Sequence, residues 1–120
     1  MKKWLLACSL VMLTVFAAGC GGEQGPVREV VIDMGPGMIF APTEITGTVG
    51  ERLLIKSTNV DGAMDHNLVV LGQKLLLRPN KSGQILVTLK KAGTFEILCT
   101  LPGHQEAGMV GVLKVEAKQP

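Results

Sequence analysis

Thr94-Phe-Glu-Ile-Leu-Cys99-Thr-Leu-Pro-Gly-His104-Gln-Glu-Ala-Gly-Met109-Val-Gly-Val-Leu-Lys-Val-Glu116 consists of two alternating runs around a turn-rich loop. In the first run Phe95, Ile97 and Cys99 share one face and Glu96 takes the other; in the second, Leu113 and Val115 oppose Lys114 and Glu116. A side-chain period of two marks half-buried β-strands. Pro102, Gly103 and Gly108 let the intervening chain reverse tightly. That loop carries a thiol, an imidazole and a thioether, with Cys99, His104 and Met109 spaced five residues apart and five again.

Outward from this stretch the same grammar repeats. Short apolar runs at 29–33, 44–49, 52–57, 67–71, 84–89, 94–99 and 110–116 predict strands. Gly35-Pro36-Gly37, the residues from Asn59 to Gly62, those from Pro79 to Gly83, and Lys91-Ala92-Gly93 supply turns. Leu53 and Ile55 oppose Arg52 and Lys56 in the same alternating way. No segment after the leader holds a 3.6-residue apolar period over several turns, although a short helix near 60–64 or 74–77 stays open. The expectation is an all-β sandwich or barrel.

With 120 residues the chain has room for one domain and one modest core. It is 47% apolar and 18% charged, an ordinary globular balance. Its 12 basic against 10 acidic groups become 10 against 10 once Lys2 and Lys3 are set aside with the leader. A near-neutral domain lacks the clustered cations that displace counterions from phosphates, so nucleic acid is not an expected partner.

Lys2 and Lys3 precede an apolar run at 4–16, and Ala17-Ala18-Gly19 then lead to Cys20. The run is shorter than the roughly 20 apolar residues of a membrane-spanning helix and has the anatomy of an export signal. Small residues ending in Cys resemble the processing site of bacterial lipoproteins. That resemblance implies cleavage before Cys20, acylation of its thiol, and a domain anchored to a bacterial membrane on the periplasmic or outer side. A plain signal peptide with an incidental Cys is the alternative. The expected layout is a leader at 1–19, a lipidated Cys and flexible tether at 20–27, and a folded domain at 28–120. Cys8 leaves with the leader and Cys20 is consumed, so Cys99 remains as a single thiol in an oxidising compartment.

A lone exported thiol has to be buried, capped, catalytic or bound to metal. The other histidine of the chain is His66, at the start of an expected strand. One thiolate, two imidazoles and a weak thioether suit copper, and a trigonal His₂Cys set with a long axial Met is the blue-copper arrangement. Structural zinc prefers four strong ligands, for which Met is a poor fourth, and calcium or magnesium would need a carboxylate cluster. Each residue also has a plainer reading. Cys99 can serve as a small core hydrophobe, His66 can pair with Asp65, His104 can stand in solvent, and Met109 can fill the core, as Met38 and Met64 are expected to do.

From about Val30 to Glu116 the chain resembles the cupredoxins, the small blue copper proteins. The resemblance lies in Phe40-Ala-Pro42 leading into a strand, His66-Asn67 opening another, and a ligand loop ending in Gly108-Met109-Val110-Gly111. The Cys-x4-His-x4-Met spacing is similar to rusticyanin-like proteins. Cys-Thr-x-Pro-Gly-His is similar to azurins and auracyanins, and Asn67 after the first His resembles plastocyanin and azurin. Terminal-oxidase dinuclear copper domains carry a second Cys where this chain has Gly103.

The family implies a Greek-key β-sandwich or barrel of about seven to eight strands. It implies one copper ion, with His66, Cys99 and His104 as equatorial ligands and Met109 as the axial one. It also implies a one-electron carrier rather than an enzyme, exchanging electrons with redox proteins such as cytochromes, oxidases, reductases or reaction-centre components. Exchange would occur through an uncharged patch of Leu101, Pro102, Ala107 and Gly108 around His104. Copper capture or delivery by a lipoprotein is the alternative function.

Overall fold

The structure, a computed structural model, describes residues 25–120. The leader, Cys20 and the first part of the expected tether lie outside the described residues. Ten strands follow in order: β1 (Val27–Val31), β2 (Asp33–Gly35), β3 (Ile39–Ala41), β4 (Glu44–Thr48), β5 (Arg52–Thr58), β6 (His66–Val70), β7 (Gln73–Leu77), β8 (Ser82–Thr88), β9 (Gly93–Leu98) and β10 (Val110–Glu116). They form a three-stranded sheet, β1-β5-β8, a five-stranded sheet, β4-β10-β9-β6-β7, and the small hairpin β2-β3. Pairing is parallel for β1 with β5 and for β4 with β10, and antiparallel elsewhere in the sheets. The all-β expectation holds.

The alternation read from the sequence is what packs the sheets. Leu53 and Ile55 of β5, Ile97 of β9, and Leu113 and Val115 of β10 are buried, while Lys56, Glu96, Lys114 and Glu116 are exposed. Ile32, Met34, Phe40, Leu68 and Leu89 complete a single core that includes Cys99 and Met109. Burying each such aliphatic side chain contributes roughly 1.5–3 kcal/mol. Gly111 marks the tightest packing near the ligand loop. A Cβ there would come within 2.9 Å of the Thr43 carbonyl oxygen, which already accepts a hydrogen bond from the Val112 N–H at 2.7 Å.

Four departures from the expectation have physical causes. The run at 73–77 is a strand and not a helix, because β7 pairs along its whole length with β6. No helix forms at 60–64 either, where side-chain hydrogen bonds to backbone N–H groups hold an irregular loop. The count rises to ten because β7 and the three-residue strands β2 and β3 add to the expected set. The sandwich also begins before residue 28: the Arg52 N–H donates to the Pro26 carbonyl, and Val27 already pairs with Arg52.

Strand polarity defines two ends. The start of β6, the end of β9 and the start of β10 meet at one end, together with the β7–β8 turn. The turns at 49–51, 71–72 and 89–92, with the start of β1, lie at the other. At that second end Glu51 accepts from Arg28 Nε at 3.1 Å and from the Thr48 N–H at 2.6 Å. The Arg28 side chain and then the Thr48 amide hold its carboxyl below the usual range. A depressed folded-state pKa gives stability that is fully present above the unfolded value, about 4.3. That stability is lost as pH falls through the folded value. Glu51→Gln is therefore expected to lower stability near neutrality by about 1 kcal/mol and to flatten the acid side of the stability–pH curve in urea titrations.

Candidate metal centre

His66 opens β6 fully buried, and its ring is held from one side. Its Nε2 lies 3.1 Å from Asp61 Oδ2, which leaves Nδ1 facing inward. A carboxylate partner assigns the proton to Nε2, so Nδ1 presents a lone pair. Asp61 is in turn held by its own loop, accepting at Oδ1 from the Ala63 N–H at 2.8 Å and the Met64 N–H at 3.3 Å. The Ala63 amide first, and then the His66 imidazole, keep the Asp61 carboxyl below its ordinary pKa. Asn59, also fully buried, shapes the segment: its Nδ2 donates to the Met64 and Leu77 carbonyls, and its Oδ1 accepts from the Asp61 N–H.

The other donors come from the 99–109 loop. The Cys99 N–H donates to the Met109 carbonyl at 3.2 Å, and the Met109 N–H to the His104 carbonyl at 3.0 Å, so the loop is closed backbone to backbone. Gly103 (φ 82°) and Gly108 (φ 102°) occupy left-handed positions that let it close. His104 Nδ1 stands 3.1 Å from His66 Nδ1 and 3.4 Å from Cys99 Sγ. One ligand atom each from His66, Cys99 and His104 lies within 4.8 Å of the others, and all three residues are buried. Met109 is fully buried at the end of the same loop.

Asn67 fastens the two halves together. Its Oδ1 accepts from the Thr100 N–H at 2.8 Å, its Nδ2 donates to Thr100 Oγ1 at 3.0 Å, and its backbone N–H points at Cys99 Sγ from 3.5 Å.

These residues fit a copper ion. Donors about 2.0–2.3 Å from a common centre stand roughly 3.5 Å apart, close to the separations found here. The set is one sulfur and two imidazole nitrogens, and the nearby carboxylate, Asp61, is already engaged at Nε2. Cys99 is the free cysteine among the described residues, so no disulfide competes for its sulfur.

The structure therefore brings His66, Cys99 and His104 together, with Met109 buried at the end of the same loop. It pairs His66 with Asp61 instead of with exposed Asp65, because neighbours along an extended chain point to opposite sides. His104 is almost enclosed, at 9% exposure, and does not stand free in solvent. Around it Pro102, Ala107 and Gly108 are exposed, whereas Leu101 is partly buried against the core. Met38 packs against the core as expected, and Met64 is half-buried in the Asp61 loop. Asp61 and Asn59 were not legible as site residues, although Asn59-x-Asp61 is turn chemistry that places side-chain oxygens beside backbone N–H groups.

Residues 27–116 match the family described as copper binding proteins of the plastocyanin/azurin family. A copper-resistant cuproprotein CopI of Rubrivivax gelatinosus is 32% identical over 110 residues, covering 73% of this chain and 66% of that protein. A second CopI, from Pseudomonas aeruginosa, is 45% identical over 42 residues, 35% of this chain and 23% of that protein. The chain thus spans at most about two thirds of the length of these two relatives. Auracyanin-A of Chloroflexus aurantiacus is 23% identical, with 87% of this chain and 93% of that protein aligned.

Among solved structures, the blue copper protein auracyanin A from the same bacterium superimposes with a TM-score of 0.68 at 24% identity, covering 77% of this chain and all (100%) of that one. Reduced auracyanin of Roseiflexus castenholzii gives 0.67 at 22% identity, covering 75% and 95%. Both show the same fold. The chain belongs to the plastocyanin/azurin family of copper-binding proteins.

Groups that orient a histidine from its far nitrogen typically contribute 10- to 100-fold in metal affinity. Asp61→Ala is expected to weaken copper binding by that factor in a competitive chelator titration, with the fold retained by circular dichroism. An unchanged affinity would remove Asp61 from the site.

Proposed function

We propose that this cupredoxin is a membrane-tethered, extracytoplasmic one-electron carrier whose copper would be held by His66, Cys99, His104 and Met109. Copper, when bound, supplies a one-electron couple between its two oxidation states. The chain supplies a fixed cage. His66 is oriented by Asp61, Cys99 and Met109 are tied backbone to backbone, and Asn67 sets the distance between the two halves. Donors already in place change little between oxidation states, and small rearrangement makes electron exchange fast.

The observation that carries the reading is the position of His104. His66, Cys99 and Met109 are fully buried, whereas His104, at 9% exposure, is the least enclosed of the four. The loop around it presents Pro102, Ala107 and Gly108, with Glu106 as its one exposed charge, a small and largely apolar rim suited to brief contacts with a redox partner. Cytochromes, oxidases, reductases and reaction-centre components are the class of partner this surface suits. A filled donor set also leaves no exchangeable position for a substrate, which argues against catalysis at the metal.

Copper handling is a second reading, supported by the likeness to proteins named copper-resistant cuproproteins. Electron self-exchange, followed by line broadening in mixtures of the oxidised and reduced protein, separates the two. A carrier exchanges electrons rapidly and keeps its copper through repeated redox cycles, whereas a delivery protein loses copper to an acceptor chelator. Ala107→Lys is expected to slow self-exchange about tenfold at low salt, by like-charge repulsion across the contact, while leaving the visible band unchanged. An unaffected rate would take this rim out of the electron path.

A further inference from the structure

The end of the sandwich away from the metal centre has a surface that electron transfer does not use. The turns at 49–51, 71–72 and 89–92 lie there with Gly25 and Lys118. Gly25, the first described residue, lines one hollow with Gly50 and Lys118 and another with Gly50 and Lys90. Lys90 and Lys91 continue into a groove of about 430 Å³ that also takes in Leu71, Leu86 and Phe95. Lys74 is exposed near the start of β7 at the same end. Lys74, Lys90, Lys91 and Lys118 are exposed, and none forms an ion pair among the described residues. Among the described residues the nearby acidic group Glu51 is already engaged by Arg28, which leaves Glu116 against the four lysines. The loops of the opposite end carry Arg78 and Lys81 together with Asp61, Asp65 and Glu106, so no such excess of cations stands there among the described residues.

A second feature of this end is independent of charge. The β6–β7 hairpin turns on Leu71 (φ 47°) and Gly72 (φ 77°). Asn or Gly ordinarily takes a left-handed turn position, because a side chain with a γ-branch is strained there. A leucine at that tip, 36% exposed, puts an apolar side chain at the extremity of a basic surface. Cations around a partly exposed aliphatic tip form the pattern of a surface that rests on a bilayer interface.

We infer that this end, through Lys74, Lys90, Lys91, Lys118 and the Leu71 tip, docks on an anionic phospholipid surface and so turns the copper end away from the membrane. The inference rests on the tethered reading proposed above. Cys20 is five residues before Gly25, so an acylated Cys20 could be no more than about 17 Å from the base of the sandwich. Lys90 and Lys118 line the hollows that Gly25 also lines. Docking would hold His104 toward partners on the aqueous side.

Hydrogen–deuterium exchange of the lipidated, full exported chain tests this on vesicles of phosphatidylcholine with and without phosphatidylglycerol. The 71–73 and 89–93 segments are expected to exchange about tenfold more slowly when the anionic lipid is present, and the slowing should vanish at high salt. The 99–109 loop should be indifferent to lipid composition. Lys90→Gln/Lys91→Gln/Lys118→Gln should abolish the slowing while the copper band stays intact. Equal exchange on both vesicles, or protection of the 99–109 loop instead, would overturn the docking face. Release of the chain from both vesicle types by an alkaline wash would instead overturn the tether.

Discussion

Where β6 and β9 approach the metal centre, their backbone ladder gives way to a side chain. The two strands are in register at Val69 and Leu98. Beyond that point toward the site, the amide of Asn67 takes over, bonding to the N–H and hydroxyl of Thr100. Asn67 is fully buried, so its polar atoms find partners there or go without, and an unsatisfied buried amide costs roughly 1–3 kcal/mol. That penalty fixes the distance between His66, which precedes Asn67, and Cys99, which precedes Thr100. A regular ladder would zip the strands together and leave no room for an ion. A free gap would let the donors drift. The amide does neither, and the rest of the centre is arranged around the separation it sets.

Charge is arranged with the same economy. Asp61 is a nearly buried carboxylate, and every contact it makes is a donor: two backbone N–H groups at one oxygen and the His66 ring at the other. Its charge is therefore solvated by the protein, and the same contacts lock the imidazole so that Nδ1 faces Cys99 and His104. The loop donors are fixed differently, by backbone hydrogen bonds among Cys99, His104 and Met109 that owe nothing to side-chain chemistry. A cage with two independent supports can hold its shape whether or not the metal's own bonds help.

Much of this was legible in the sequence, for an identifiable reason. Period-two alternation exposed β5, β9 and β10 directly, because each buries one face and wets the other. Cys99, His104 and Met109 stood out because soft donors are scarce in this chain and their loop is rich in Pro and Gly. The strand β7 was less clear, since Leu75, Leu76 and Leu77 form an unbroken apolar run without alternation; pairing with β6 decides it. The Asp61–His66 contact was hidden for another reason. It depends on how the 59–65 loop folds back, and that path is written in backbone N–H partners of Asn59 and Asp61 instead of in any periodic pattern.

The two ends of the sandwich differ: one encloses the donors beneath a small, largely apolar rim, while the other carries exposed lysines that form no ion pair among the described residues. The electron-carrier reading depends on a single claim, that His66, Cys99, His104 and Met109 close around one copper ion. Electron paramagnetic resonance of the copper(II)-loaded chain, recorded beside its visible spectrum, tests that claim most directly. The account predicts a narrow parallel hyperfine splitting together with an intense red-absorbing sulfur-to-copper band, both lost in Cys99→Ser. With no Tyr in the chain and its single Trp at position 4, within the proposed leader, that band would dominate an unusually weak protein absorbance once the leader is removed. A wide splitting with only faint visible colour would mean tetragonal copper without the Cys99 sulfur, and would contradict the account.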